Sequence, residues 1–179
     1  MTSGPDPILG EIKETFGRVA YTHKTQEKEA ELKVAAGRRI KVANLIVIGV
    51  TAAAALIAPL VQSSQAAWIA AAAAVTALVF AAFQLSFDPT AEVTSHRIAA
   101  KSYLALRNDY RTLLSDVRAG ALSVDEMRTR RDALARELVH LESTAPQTSP
   151  KAYAAARAAL RGTEGLTFDD DEYRQLFDD

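Results

Sequence analysis

The 179-residue chain carries 21 Lys and Arg against 22 Asp and Glu, a formal net charge of −1. That balance gives no reason to expect nucleic-acid binding, which shows as a basic excess. The absence of cysteine excludes disulfides, thiol catalysis and Cys-based zinc sites, and fits cytoplasmic exposure. A composition of 49% hydrophobic and 24% charged residues would suit a soluble domain, but no charge lies between Lys41 and Asp88. That stretch is about twice the ~20 residues one transmembrane helix needs.

In chain order, residues 1–41 read as a cytoplasmic N-terminal helix. Ile12, Phe16, Val19, His23 and Ala30 recur at spacings of three, four or seven and define its apolar face. The stretch KTQEKEAELK that follows His23 is expected to supply a solvated face. Gly37 lowers helix preference shortly before the apolar block.

Residues 42–87 read as a two-span hairpin, with spans at about 42–60 and 66–87 and the turn VQSSQ between them. At ~1.5 Å per residue each span reaches about 30 Å, the thickness of a hydrocarbon core. The other home for Ala-rich helices of this kind is the buried centre of a soluble bundle. The apolar run starts forty residues in and lacks a cleavage pattern, unlike a signal peptide. Arg38, Arg39 and Lys41 precede the first span, Arg97 and Lys101 follow the second, and the turn is uncharged. The positive-inside rule then places both termini in the cytoplasm of a multi-pass inner (plasma) membrane protein.

Folding the hairpin midway between Ser63 and Ser64 sets Thr51 opposite Thr76 and Asn44 opposite Gln84. With Gly49, Ala53 and Ala70, these residues are candidates for one of two roles. They pack helices closely within or between hairpins, or they line a water-filled path once several copies assemble. Extending the count beyond the spans lays the flanking helices together as an antiparallel stalk, with His23 near Tyr103 and His96 near Ala30. His23 and His96, on apolar stripes, are candidate polar contacts within it. Gly37 and Pro89 fall at nearly equal depth and are either a hinge or ordinary punctuation; Asp88–Pro89 reads as an N-cap followed by proline at the first helical position.

Residues 88–179 read as a cytoplasmic helical region. His96, Ala99, Tyr103, Leu106, Tyr110, Leu113 and Val117 form a continuous stripe ending at Gly120. Ser123 with Glu126 predicts a capping box, opening a helix whose stripe is Val124, Met127, Leu134, Leu138 and Leu141. Ser149–Pro150 predicts the start of a short Ala-rich helix ended by Gly162. Residues 164–179 hold seven acids and one Arg, either a solvated terminal helix or a docking surface for a basic partner. The fold class is thus all-α: a two-transmembrane helical hairpin with a cytoplasmic helical bundle or stalk.

No catalytic constellation emerges. His23, His96 and His140 have no partner at metal-ligand spacing, and no phosphate-binding, nucleophile-elbow or HExxH motif occurs. We expect no enzyme, no cofactor and no metal.

The succession TFGRVAYTHKTQEKEAE, two-span hairpin, HRIAAKSYLALRNDYRTLL, APQTSPKAYAAARAAL and FDDDEYRQLF resembles the SLATT domain, a two-transmembrane effector associated with SMODS nucleotidyltransferases and SLOG sensors. The likeness covers roughly residues 16–177, and its most distinctive part is the Ala-Pro, Lys-Ala-Tyr, Asp-Asp-Glu series. Family members often end this series with Leu-Pro, where this chain has Gln175-Leu176-Phe177. The resemblance implies a homo-oligomeric effector of prokaryotic conflict systems. It would perforate the inner membrane when a sensor or nucleotidyltransferase partner encoded nearby detects invasion, causing cell death or arrest. It brings no catalytic residues. From the residues alone, a passive membrane-anchored scaffold for a cytosolic partner stays open as the alternative.

Overall fold

A computed structural model describes residues 7–61, 64–86 and 89–162. The described residues form five helices and no strand: α1 (Pro7–Val61), α2 (Ser64–Ser86), α3 (Pro89–Arg118), α4 (Val124–Thr144) and α5 (Pro150–Arg161). The chain divides into two compact units, Met1–Ala30 with Thr94–Asp179, and Glu31–Val93. α1 contributes to both and passes through Gly37, which is buried, without interruption.

In the first unit, the N-terminal part of α1 packs with α3, α4 and α5. The core holds Ile12, Val19, Tyr103, Leu106, Tyr110 and Leu138. The stripes expected on α1 and α3 are the buried ones, because one position per turn is apolar and spacings of three and four keep it on one face. Tyr103 and Tyr110 are the largest fully buried side chains, and burial raises both phenols above their ordinary pKa. Val124 departs from its stripe. It is half exposed, because it begins α4 before that helix reaches the core, whereas Met127 and Leu138 are buried.

The connections follow from local chemistry. After α3, Gly120 adopts φ 65°, its N–H bonds the Val117 carbonyl at 3.1 Å, and the Ala121 N–H bonds the Asp116 carbonyl at 3.0 Å. This is a Schellman closure, and its left-handed position is why glycine stands there. The capping box opens α4: the Glu126 N–H donates to Ser123 Oγ at 3.3 Å, and the Ser123 N–H donates to Glu126 Oε2 at 2.8 Å. The Ser123 hydroxyl, which donates to Glu126 Oε2 at 2.7 Å, and then the Ser123 N–H hold the Glu126 carboxyl below its ordinary pKa. Ion pairs Arg130–Asp116 at 2.7 Å and Arg131–Glu11 at 2.9 Å tie α4 to α3 and α1.

In the second unit, the C-terminal part of α1 pairs with α2. Both helices are long and apolar enough to cross a membrane, and the most apolar window of each is 0% buried. Leu45, Leu56, Trp68, Ile69, Leu78 and Val79 are each between 65% and 78% exposed. A soluble bundle would bury such residues, since each left in water forgoes roughly 1.5–3 kcal/mol. In a bilayer the same surface is matched by lipid, and the backbone is satisfied within each helix. The chain is an all-α membrane protein with a two-span hairpin.

Candidate functional site

The membrane pair and the first unit each present a set of polar residues with defined partners. Across the hairpin, Thr51 Oγ1 donates to the Val47 carbonyl at 2.8 Å and lies 3.2 Å from the Ala73 carbonyl on α2. Thr76, expected opposite Thr51, is exposed and donates to the Ala72 carbonyl of its own helix at 2.9 Å. The two hydroxyls therefore do not meet. Asn44 and Ala70 are half-buried, while Gly49 and Ala53 are exposed. A Cβ placed on Gly49 would meet nothing within 4 Å. Gln84 lies in α2 and Pro89 opens α3, with only their backbone described.

The register differs from the sequence expectation by about one helical turn. His96 lies against Gln26, not Ala30: its Nδ1 is 2.6 Å from Gln26 Oε1. α3 starts a new helix at Pro89 and does not inherit the register of α2.

A second correction concerns KTQEKEAELK. Thr25, Gln26 and Glu29 are buried, with relative exposures of 5%, 3% and 5%, instead of forming a solvated face. Burial of such groups requires partners. Gln26 Nε2 donates to the Pro146 carbonyl at 2.9 Å. A proline carbonyl only accepts, so the amide must turn its nitrogen there and its oxygen toward His96. His96 then donates from Nδ1, which fixes where its ring carries a proton.

One turn further along α1, Glu29 Oε2 accepts from the Ser149 N–H at 2.8 Å and from Ser149 Oγ at 2.6 Å. Ser149 is the N-cap of α5, and its Oγ in turn accepts from the Ala152 N–H at 3.2 Å. A buried carboxylate thus sits at the positive end of a helix dipole, where negative charge is favoured. Tyr21 and Tyr153 stack obliquely at 6.3 Å, and Ala152 and Ala156 are fully buried. Together these contacts hold the segment from Pro146 into α5 against α1.

His23 faces a different environment. Its Nε2 is 3.5 Å from Glu27 Oε1, and Glu27 also pairs with Lys24 at 3.0 Å. Its Nδ1 is buried without a hydrogen-bond partner. Burial lowers the His23 pKa, Glu27 opposes that shift, and the Arg107 and Lys24 charges reinforce it. The two stalk histidines therefore differ: His96 is held in a network, and His23 has an orphaned nitrogen.

Sequence reasoning picked His23 and His96 but missed Gln26, Glu29 and the partners Pro146 and Ser149. A signal was present. The apolar stripe steps seven residues from His23 to Ala30, and the position that completes it is Gln26, three after one and four before the other. A polar residue on a core stripe, with a Ser-Pro helix start elsewhere, is the pattern of a buried polar lock. Near Pro146 an open groove of about 240 Å³ is lined by Ser95, Ser102, Tyr103 and Thr144. No charged side chain lines it, and no group of three metal-ligating residues occurs among the described residues. The acidic stretch 164–179 and the cap residue Asp88 lie outside the described residues.

A two-span apolar hairpin, joined through one helix to a unit closed by a buried polar lock, defines a helical membrane protein of the two-transmembrane class. The chain belongs to the SMODS and SLOG-associating 2TM effector domain family 4, which it matches over residues 8–172. No curated protein and no solved structure matches it.

Proposed function

We propose that this protein is the membrane effector of a prokaryotic conflict system acting in anti-phage defence. Copies of the chain assemble in the inner membrane into a pore or a bilayer-disrupting patch, leading to cell death or arrest. The supporting observation is the second unit's surface. Its apolar side chains and the small residues Gly49 and Ala53 are exposed in one chain, leaving a face on which another hairpin can pack closely. Membership of a two-transmembrane effector family supports the role.

In this reading both termini lie in the cytoplasm, because Arg38, Arg39, Lys41, Arg97 and Lys101 flank the hairpin on one side. The first unit receives the signal from a sensor or nucleotidyltransferase partner. Asn44, Thr51, Thr76 and Gln84 pack hairpins together or line the path, and Gly37 with Pro89 forms the level at which the helices change arrangement. Reconstituted full-length protein, with the partner system present, should release a small dye from liposomes. Tight liposomes under every activating condition, with the partner still recruited to the vesicles, would instead establish a passive anchor. Cysteine at Ser63 should react with an impermeant reagent from outside the cell and cysteine at Ser3 should not; the reverse labelling would overturn the topology.

A further inference from the structure

Within the second unit, the basic residues of α1 fall into two groups. Lys33 forms an ion pair with Glu92 on α3. Arg38, Arg39 and Lys41, the next cations along the helix, are exposed, and no acid among the described residues pairs with them. Immediately beyond them begin the lipid-matched side chains: Val42 is 53% exposed, Leu45 70% and Ile46 61%.

Helical spacing interleaves the two kinds of residue. Arg38, Lys41 and Leu45 follow one outward row at steps of three and four, and Arg39, Val42 and Ile46 follow another. Each row carries cations at one end and apolar side chains at the other, over one to two turns. Long basic side chains at such a border lie along the apolar surface and place their charge at headgroup depth. A guanidinium offers paired N–H donors to phosphate oxygens.

We propose that Arg38, Arg39 and Lys41 form a binding surface for the headgroups of anionic phospholipids in the bilayer that holds the hairpin. The occupant is a membrane lipid and not a soluble anion, because the cations continue directly into the apolar side chains that acyl chains would cover. A polyanion in solution would gain the charge contacts and leave that apolar surface unmatched. The proposal rests on the hairpin spanning a membrane, but not on any pore.

The test uses the full-length protein in vesicles of phosphatidylglycerol and phosphatidylcholine at equal amounts, extracted gently for native mass spectrometry of retained lipids. Wild type should retain phosphatidylglycerol over phosphatidylcholine by about tenfold, a preference that weakens as salt rises. The triple variant Arg38→Gln, Arg39→Gln, Lys41→Gln should fall to within about twofold of no preference. Arg38→Lys with Arg39→Lys, which keeps the charge, should stay well above it. Equal retention of the two lipids by wild type overturns the proposal without reference to any variant. So does a triple variant that keeps the full preference, or displacement of the retained lipid from wild type by millimolar inorganic phosphate. Failure of wild type to float with vesicles of phosphatidylcholine alone would defeat the membrane reading itself, an outcome distinct from insertion without lipid preference.

Discussion

His23 and Gln26 sit three residues apart on one buried face, yet their chemistry diverges because their partners do. Gln26 is satisfied at both ends, by His96 and by the Pro146 carbonyl. His23 is buried with Nδ1 unpartnered, and its pKa is pushed below the ordinary 6.5, chiefly by burial, against the pull of Glu27. The sign of the linkage follows. The folded chain prefers the neutral ring, so between 6.5 and the lower folded pKa the unfolded chain binds more protons. The contribution of His23 to the stability of the first unit is full above that window and is lost as pH falls through it. Once the intrinsic exchange rate at each pH is divided out, backbone amides of residues 7–30 should be less protected from deuterium exchange at pH 5.5 than at pH 7.5. His23→Leu should flatten that dependence, since Leu fills the space without a titrating group. Unchanged acid sensitivity in His23→Leu would assign it to another group, with His96 present in both proteins as the internal control.

At the scale of elements, α5 is held less by its length than by what caps it. Twelve residues are marginal as an isolated helix, so docking through Ser149 and the buried Ala152 and Ala156 carries much of its order. Glu29→Ala removes the acceptor of two Ser149 bonds and leaves the donors without it, at a cost of about 1–3 kcal/mol. Limited proteolysis should then cut the connection between α4 and α5 faster than in wild type, while Glu29→Gln, which keeps an acceptor oxygen, should be cut at an intermediate rate. Equal cutting of all three would mean that apolar packing alone holds α5. This lock also marks the limit of what the sequence made legible. Helix existence, the α3 stripe, the Ser123 capping box and the Ser149–Pro150 start are local chemistry, readable from spacing and residue type. In the sequence Gln26 and Glu29 read as a solvated face because their partners are ~120 residues away, and only the folded chain shows that those carbonyl, N–H and hydroxyl groups arrive there. The register differs by a turn for a related reason: α3 is a new helix from Pro89, so a residue count carried through α2 does not fix which residue of α1 His96 meets.

For the whole molecule, the decisive question is what covers the exposed surface of the hairpin. Lipid matches large apolar side chains as well as protein does, so burying Leu45 or Leu78 between copies gains little. Close backbone approach is different, because it depends on small residues and is lost when they are enlarged. Gly49 and Ala53 are four apart on α1 and both exposed, whereas Thr51 between them reaches the Ala73 carbonyl of α2. Space is open where a Cβ would grow on Gly49. Gly49→Leu should therefore leave the hairpin's own packing intact, and any effect it has reports on contacts with other copies. Helix propensity works in its favour, by roughly 0.8–1 kcal/mol at most, so a loss of assembly cannot be blamed on a weakened helix. Gly49→Leu and Ala53→Leu should insert and float with membranes like wild type, shift crosslinked species toward the monomer, and reduce liposome leakage and toxicity in proportion, the double variant more than either alone. Monomeric variants that remain fully toxic would show that an oligomeric pore is the wrong mechanism. Variants that assemble and leak like wild type would move the packing face away from Gly49 and Ala53, to another exposed face of the hairpin such as the one that carries Thr76.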